Sequence, residues 1–540
     1  MVLFLLLLST SAALWGDHSR LERLWELPEF SLDPDPPAIQ SGSGFRLLRF
    51  LQQEVNASNH EIKKKKKTGR AVLEYFAVIA VPQAIYWAGW WGEYKPWHYR
   101  LNWNDQSKRF FTLSAWKFDS NNFKINWMHA LSGVGYYNFA RSNRFGRFES
   151  LLFTLGGSFY WEYIGEWREV VSINDNIVTI LGGVPIGEAC YNLGKYFLSK
   201  SGTINQLLSF LNPVLKFNHW LDRKKGNLTF NEPEPGWHDF RLALGLWSDP
   251  ISNQKWTGKN MFLHADAQLL SIPDVEKPGN IAQKIGATLF SGISLDILSS
   301  KGLVDEVSVS FRSVYLGYFR KMFDQDLNGY HFYLGLGSAF SYFKQRSIAF
   351  YDSSRIRVKD IHLLNLDKPR DFRDKFAAVH VIGPVFDLAV RKGKFRTRLM
   401  AEAYADFSMV NALALNKYSA SHDIRGEKTT LVYYGYYYGL GGSLSLRLNA
   451  EYGPLEFRGR FIGHDWGSIE GHDNFQSEVR DDFHITDSRT SLYLSAGFRF
   501  GSSPFIFTLG FERIGRRGVL KDTRQTEHES RVSVGFVLRY

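Results

Sequence analysis

The sequence predicts a mainly β protein, an antiparallel transmembrane β-barrel of about twelve strands with an N-terminal α-helical domain docked at or in the barrel. Three observations predict this fold. Apolar residues alternate with small or polar ones from about residue 235 to the end. Tight turns alternate with long polar loops over the same region. The last residues, "ESRVSVGFVLRY", form an alternating strand that ends in the aromatic Tyr540.

The alternation recurs in twelve segments. In "SLYLSAGFRF" and "SSPFIFTLGFE" the apolar side chains occupy every second position. The segments lie near 237–247, 259–271, 286–298, 305–319, 329–344, 375–391, 394–410, 429–448, 453–464, 488–500, 504–514 and 529–540. Each is about long enough to cross a bilayer as a tilted strand. A large soluble β protein also has period-two strands, but it has no reason to turn an apolar side outward on nearly every strand.

The connections between these segments also follow a pattern. "RKGK", "EYGP" and "GSSP" are typical of tight turns. Long polar loops are predicted near 345–374, 411–428, 465–487 and 515–528. Outer-membrane barrels have short periplasmic turns and long external loops, so we expect the last strand to close a barrel against the first.

The terminal strand resembles the sorting signal of bacterial outer-membrane proteins. This resemblance implies a bacterial outer-membrane location, recognition by the barrel-assembly machinery and contact with outer-membrane lipid. The sequence does not indicate an oligomeric state.

The composition agrees with a membrane barrel. Aromatic residues make up 16% of the chain and there are 47 glycines, which suits aromatic girdles and closely packed strands. The net charge of +11 fits a basic lumen or an anionic partner, and no nucleic-acid-binding module is present. A single cysteine, Cys190, excludes an intramolecular disulfide and a cysteine-based metal site. Neither a cofactor nor a metal is predicted.

The chain divides into four predicted regions. Residues 1–16 predict a signal peptide, 17–70 a polar linker, 71–230 a helical domain and 235–540 the barrel. Residues 71–96 are apolar and rich in tryptophan, but Glu74 and Pro82 interrupt them. This pattern favours a helix at a membrane interface or on the barrel wall over a membrane-spanning helix.

A second apolar stretch, "SINDNIVTILGGVPIGEACYNLGKYFL", also predicts a helix. Ser172 is a suitable N-cap residue. Gly183 and Gly187 have the spacing that allows close contact with another helix, and Pro185 should kink this one.

Charged residues alternate with the apolar ones on the predicted strands and should therefore face the lumen. The predicted lumen-lining residues are Arg396, Arg398, Glu402, Asp406, Arg447, Glu456, Arg458, Arg460 and Arg499. Such a lumen either selects anions or pairs its charges with one another and holds an inserted element. The sequence leaves both interpretations open.

The helical domain contains a second set of candidates. His129, Glu162, Glu166 and Asp175 are candidate catalytic residues, because carboxylates that share an apolar setting suit proton handling or metal binding. Glu162 and Glu166 have the i, i+4 spacing that puts them on one helix face. Arg141 and Glu188 are expected to join a polar network. Pairing with arginine would satisfy these charges without chemistry, and motifs such as HExxH and GxSxG are absent.

These residues carry a family resemblance. "NWMHALSGVGYYNFARSN", "GSFYWEYIGEWREVVSINDNIVTILGGVPIGEACYNLGKYF" and "LNPVLKFNHWLD" are similar to a bacterial family known as domain of unknown function 3943, over about 97–222. The resemblance implies an envelope location and a barrel-like region downstream. It implies no activity.

The leading functional hypothesis is an outer-membrane barrel that acts as a gated or plugged channel or transporter for a small or amphiphilic solute. The helical domain is expected in the periplasm or inside the barrel lumen. One alternative is an outer-membrane lipid-modifying enzyme that uses the acidic and histidine group of the helical domain. A second is a membrane anchor for a periplasmic interaction domain.

Overall fold

A computed structural model describes residues 66–90, 98–222, 237–248, 260–272, 274–286, 288–300, 303–346 and 373–540. The predicted signal peptide and most of the predicted linker lie outside these residues. The described chain consists of a helical unit, residues 68–221, followed by strands from residue 237 onward.

Eight helices form the helical unit in the described part of the chain. They are α1 (Thr68–Trp90), α2 (Trp103–Phe110), α3 (Phe123–Ser142), α4 (Arg147–Tyr160), α5 (Ile173–Ile177), α6 (Gly183–Ser199), α7 (Thr203–Leu208) and α8 (Pro213–Leu221). A π-helical turn, Trp161–Gly165, follows α4, and a second one, Val178–Gly182, joins α5 to α6. Two short strands, β1 (Trp116–Lys117) and β2 (Val171–Ser172), pair in parallel within the unit.

Glycines set the contact between α3 and α6. A Cβ atom on Gly183 would lie 2.6 Å from Gly133 Cα, and one on Gly187 would lie 2.8 Å from a ring carbon of Tyr137. The close helix contact predicted from the glycine spacing is therefore confirmed. The Ser172 N-cap is also confirmed, since its hydroxyl accepts a hydrogen bond from Asp175 N at 3.1 Å.

The two prolines differ from expectation. Pro82 does not interrupt α1, which continues to Trp90. In the second half of this helix, Trp87 Nε1 donates to Gly165 O at 2.8 Å. The sequence predicts a kink at Pro185. The helix is instead irregular just before this proline, in the π-helical turn 178–182.

Thirteen further strands form one antiparallel sheet. They are β3 (Trp237–Ser248), β4 (Met261–Leu270), β5 (Gly279–Ile285), β6 (Phe290–Ser300), β7 (Leu303–Phe323), β8 (Gly329–Gln345), β9 (Lys375–Lys392), β10 (Phe395–Asn411), β11 (Tyr436–Tyr452), β12 (Leu455–Ser468), β13 (Ile485–Arg499), β14 (Phe505–Leu520) and β15 (Thr523–Arg539). Twelve of them close a ring, because β7 pairs with β8 as well as with β6. The thirteenth, β5, pairs only with β7 and continues the line of β6.

The last strand closes the barrel, as the terminal sequence predicts. β15 pairs with β3, and the Tyr540 amide donates to Phe240 O at 2.9 Å. Phe536, Leu538 and Tyr540 are exposed on the outer face. This end of the barrel, where β3 begins and β15 ends, is called the turn end below, and the opposite end is called the loop end.

Three details of the predicted strands are wrong. β5 was not predicted, because its short segment has no clear alternation. Residues 429–434, predicted as strand, form a helix, α10 (Thr429–Tyr434), which follows α9 (Leu415–Ser419) in the same loop. The loop predicted at 515–528 is instead a tight hairpin, since β14 extends to Leu520 and β15 begins at Thr523. Outward residues there, such as Arg517 and His528, are polar, so the alternation that reveals a strand disappears.

The helical unit docks on the outer face of the barrel. Ser313 Oγ of β7 donates to Pro185 O at 3.1 Å. A Cβ on Gly182 would meet Phe340 and Val379 at 3.3 Å. The strand residues that contact the helical unit, Ser313, Phe340 and Val379, occupy outward positions of β7, β8 and β9. The alternate positions, such as Arg312, face the interior of the barrel.

Candidate functional site

The candidate site is the barrel lumen. Ion pairs across the barrel identify the inward face: Arg531 of β15 and Glu306 of β7, on strands that are not neighbours, have Nη2 and Oε2 2.6 Å apart. Inward side chains enclose a cavity of about 260 Å³. Its wall carries arginine, aspartate, glutamate, histidine and serine side chains, together with aromatic and aliphatic ones.

Most of the residues predicted to line the lumen do line this cavity and form ion pairs. The pairs are Arg398–Asp387 (2.7 Å), Arg458–Glu456 (2.6 Å), Arg460–Asp296 (3.7 Å) and Arg447–Glu402 (3.9 Å). The acidic partners Asp296 and Asp387 were missed, although both lie in predicted strands at inward positions. The geometry favours the second of the two interpretations, in which the charges pair with one another.

Three of the predicted lumen residues are placed differently. Arg396 lines a smaller cavity of about 110 Å³ towards the turn end. Arg499, at the end of β13, is half-buried. The Asp406 side chain is fully buried in the barrel wall, where its Oδ1 lies 2.7 Å from His380 Nδ1.

An apolar cap closes the loop end. The loop between β10 and β11, residues 412–435, carries α9 and α10 and is called the loop cap here. Its side chains Leu415 and Leu431 are buried against Phe376 and Trp466 of the barrel wall in one apolar cluster. The loop cap is also tied to the wall by Leu413 N, which donates to Asp487 Oδ1 at 3.2 Å.

A second apolar cluster narrows the lumen towards the turn end. The connection between β4 and β5 contributes Ile272 and Val275, which are buried together with the inward residues Phe319 and Tyr333. Lys321, also buried, donates to carbonyl groups of the same connection. The charged cavity therefore lies between apolar contacts at both ends.

One carboxyl in the loop cap has a perturbed pKa. Burial raises the pKa of Glu427 to about 7, although Lys521 and Tyr418 act in the opposite direction. Because the folded chain holds this proton more tightly than the unfolded chain does, the capped form gains stability as the pH falls below about 7. The gain is complete below the ordinary glutamate value of about 4.3.

The predicted acidic group of the helical unit is brought together. His129 Nδ1 lies 3.3 Å from Asp175 Oδ1, and Glu162 Oε2 accepts from Ser172 N at 2.8 Å. Glu166 does not share a helix face with Glu162, because it follows the π-helical turn; its Oε1 accepts from Trp161 Nε1 at 2.9 Å.

Burial raises the pKa of Glu162 well above its ordinary value, and the neighbouring carboxylates of Glu166 and Asp175 raise it further. Burial also raises the pKa of Glu166 well above its ordinary value, and the carboxylates of Glu169 and Asp175 raise it further. Arg109, a fully buried residue that the sequence did not point to, donates to Glu162 O at 2.5 Å and to Trp167 O at 2.8 Å. Within the described ranges, no group of three or more His, Cys, Asp and Glu residues is arranged to hold a metal ion.

The second predicted pair, Arg141 and Glu188, forms a buried bidentate ion pair. Arg141 Nε and Nη2 donate to the two carboxylate oxygens at 2.9 and 3.1 Å. Tyr137 OH donates to the same carboxylate at 2.8 Å, and Thr288 Oγ1 donates at 2.5 Å. Since Thr288 belongs to the barrel, Glu188 links the helical unit to it.

A hydrogen-bonded triad on three adjacent strands was missed by sequence reasoning. His380 Nδ1 lies 2.7 Å from Asp406 Oδ1, and His380 Nε2 lies 2.9 Å from Ser341 Oγ. Ser341 and His380 line the 260 Å³ cavity. The only signal in the sequence is that all three residues are inward positions of predicted strands; no local motif connects them.

Comparison with protein families gives one match. Residues 115–214 match the family described as "Domain of unknown function (DUF3943)". The resemblance expected over about 97–222 is confirmed over this narrower range, which covers most of the helical unit. No curated protein matches the chain.

Solved structures with some similarity are barrels. The "TodX monoaromatic hydrocarbon channel deltaS2 mutant" is 8% identical, covers 57% of this chain and 91% of its own, and has a TM-score of 0.19. OmpF of Salmonella typhi in complex with daunomycin is 8% identical, with 56% and 97% covered and a TM-score of 0.18. The translocator domain of the autotransporter NalP from Neisseria meningitidis is 12% identical, with 59% and 92% covered and a TM-score of 0.15. At these TM-scores the similarity establishes neither a shared family nor a shared activity.

Proposed function

We propose that this protein is a bacterial outer-membrane β-barrel with a closed channel in its lumen, gated for a small or amphiphilic solute. The observation that carries the proposal is the charged cavity of about 260 Å³ between two apolar closures. Apolar constrictions stop water and ions, whereas a charged chamber lowers the cost of holding a polar solute. A closed conduit needs both features.

The outer face supports a lipid environment. Large apolar side chains are exposed on the outside of the strands, including Leu444, Leu446, Leu448, Phe505, Leu509 and Phe511. In water such a surface would be an aggregation hazard, but it matches the apolar band of a membrane barrel. The alternation with charged inward residues agrees with the same environment.

The gate in this proposal is the loop cap. It is built from one loop with two short helices, so it can move without breaking any strand pairing of the barrel. The turn-end cluster involves strand residues and is expected to move less. Ion pairs in the chamber leave little fixed charge for strong anion selectivity, so the expected channel is weakly selective.

We also infer that the helical unit lies beside the barrel, against its membrane-facing wall. Helix α1 is long and apolar enough to cross a membrane, yet only 17% of its apolar window is buried, against 67% for the helix at 173–199. Its exposed face carries Val72, Leu73, Phe76, Val81 and Ile85. If α1 faces lipid, the apolar side chains exposed on this helix and those exposed on the outer face of the barrel share one lipid environment.

A point change in the loop cap tests the channel. Leu431 is fully buried, so Leu431→Asp places a carboxylate in the apolar cluster and should open the cap. Leu431→Met keeps the volume and should leave it closed. We expect single-channel conductance in planar bilayers for the aspartate variant and rare openings for the methionine variant and the natural chain. Equal conductance in all three, or none in a correctly folded aspartate variant, would contradict the proposal.

The enzyme alternative based on the helical acidic group is tested alongside. Glu162→Gln and Glu166→Gln remove the ionisable group but keep shape and hydrogen-bonding capacity. If these carboxyls only support the helical unit, both variants should keep conductance and lose at most some stability. Loss of cellular function with folding and conductance intact would instead assign chemistry or proton handling to this group.

A further inference from the structure

The Ser341, His380 and Asp406 side chains form a chain of hydrogen bonds with a defined direction. A carboxylate only accepts hydrogen bonds, so His380 Nδ1, 2.7 Å from Asp406 Oδ1, must carry the proton. In the neutral ring the other nitrogen is then an acceptor. His380 Nε2 therefore accepts from the Ser341 hydroxyl at 2.9 Å. This is the tautomer that a general base for serine requires.

The surroundings hold this arrangement in place. Asp406 and His380 are directly opposite each other on β10 and β9, and Ser341 is on the next strand, β8. Ser443 Oγ adds a contact of 3.2 Å to Asp406 Oδ1. Asp406 and His380 are buried, whereas Ser341 is only half-buried. The orienting groups are thus fixed in the wall and the hydroxyl faces the cavity.

We propose that Ser341 is the nucleophile of an esterase site in the barrel lumen, with His380 as general base and Asp406 as the residue that positions His380. This goes beyond the proposed channel, because a channel needs no activated hydroxyl. The cavity of about 260 Å³ is below the ~300–1,000 Å³ of pockets for drug-sized ligands, so the acyl group should be short. The substrate class is a short-chain carboxylic ester with a polar alcohol part.

The reaction balances with water as the only co-reactant. Ser341 Oγ attacks the ester carbonyl carbon while its proton passes to His380 Nε2. The bond between that carbon and the alcohol oxygen then breaks, and His380 returns the proton to the departing alcohol. Water attacks the acyl-serine in the same way, with His380 taking its proton, and release of the carboxylic acid restores Ser341.

In this proposal two arginines, which also form ion pairs with carboxylates, stabilise the negative charge that develops on the carbonyl oxygen. Arg312 is opposite Ala339, one inward position from Ser341, and diagonal neighbours of this kind are within reach of long side chains. Arg489 lies 4.4 Å from the ring of Phe343, the next inward residue of β8. Both arginines line the cavity.

Covalent labelling tests the nucleophile directly. Full-length protein, refolded in detergent and shown to be folded by heat-modifiable migration, is treated with a small fluorophosphonate and digested for mass spectrometry. We expect an adduct on Ser341. Ser341→Ala and His380→Gln should lose labelling and p-nitrophenyl acetate hydrolysis by about 10³-fold or more.

Ser310→Ala is the matched control, because Ser310 is directly opposite Ser341 and lines the same cavity. It should be labelled and active like the natural chain. Asp406→Asn tests the positioning role: where the barrel stays folded, it should lower kcat for p-nitrophenyl acetate and leave KM nearly unchanged. Because the natural lumen is closed, labelling is also measured in the open-cap variant Leu431→Asp, so that a closed cap and an unreactive serine give different results. Absence of an adduct in both folded forms, an adduct on another residue, or hydrolysis unchanged in Ser341→Ala would overturn the proposal.

Discussion

The link between the helical unit and the barrel should depend on Glu188. Its carboxylate is fully buried and accepts from Arg141, Tyr137 and Thr288, the last of these on the barrel. Glu188→Ala removes the carboxylate but leaves the guanidinium of Arg141 inside. Removing one partner of a buried ion pair costs about 3–5 kcal/mol. We therefore expect the helical unit to undock two to four orders of magnitude more often, since about 1.4 kcal/mol is a factor of ten.

Hydrogen exchange is the suitable measurement, because it reports the opening of α6 separately from the barrel strands. Amides of 183–199 should lose protection in Glu188→Ala while those of the strands at the seam, β15 and β3, keep it. The double variant Arg141→Met with Glu188→Leu removes both charges and should recover much of the loss. Unchanged protection in the single variant, or equal loss in the single and double variants, would refute the assignment of Glu188 as the link.

Three further predictions follow from the fold. Protection of the loop cap from protease should increase from pH 8 to pH 5, because burial raises the pKa of Glu427 to about 7, and Glu427→Gln should remove this dependence. Deleting 538–540 should prevent closure, seen as loss of heat-modifiable migration, since each large side chain contributes ~1.5–3 kcal/mol. Gly133→Ala should lower thermal stability by ~1–3 kcal/mol, because its Cβ would lie 1.8 Å from Thr179 O.

Each of these has its own contrary result. Cap protection that is flat between pH 8 and 5 would show that Glu427 does not titrate in the closed form. A truncated chain that still migrates as a folded barrel would place closure elsewhere. For the glycine, Gly135→Ala is the matched control on the same helix, since its Cβ would only meet Phe139 at an ordinary 3.7 Å. Equal stability of the two alanine variants would mean that the α3–α6 contact is loose.

The barrel could be predicted from the sequence because one physical constraint repeats along it. Each strand of the ring is polar or charged on its inward side and largely apolar on its outward side, so the pattern has a period of two. The prediction fails where that constraint ends. Beyond the lipid band, as at Arg517 and His528, both faces are polar and the hairpin appears as a loop. In the loop cap, Leu431 and Val432 are apolar because they are buried in the cap, and a helix is mistaken for a strand.

The site was less predictable than the fold. Alternation identifies which residues face inward, so Arg398, Glu402 and Arg460 could be assigned to the lumen. It cannot identify which of them pair, because partners such as Arg531 and Glu306 are 225 positions apart in the chain. The same applies to Ser341, His380 and Asp406, which depend on the register of three strands. A bulge in β9 next to His380 sets that register, and no residue type marks it in advance.

The docking of the helical unit explains a feature of the barrel that alternation alone does not. Outward positions of a membrane barrel should be apolar, yet Ser291 and Ser313 of this barrel face outward and are fully buried. Both donate to or accept from the helical unit: Asn192 Nδ2 donates to Ser291 Oγ at 2.9 Å, and Ser313 Oγ donates to Pro185 O. Polar outward residues on a barrel wall are costly in lipid but stabilising against a helix that offers hydrogen-bonding groups. Outward serines in a run of otherwise apolar outward positions are therefore the sequence signal that something other than lipid covers that band of the wall.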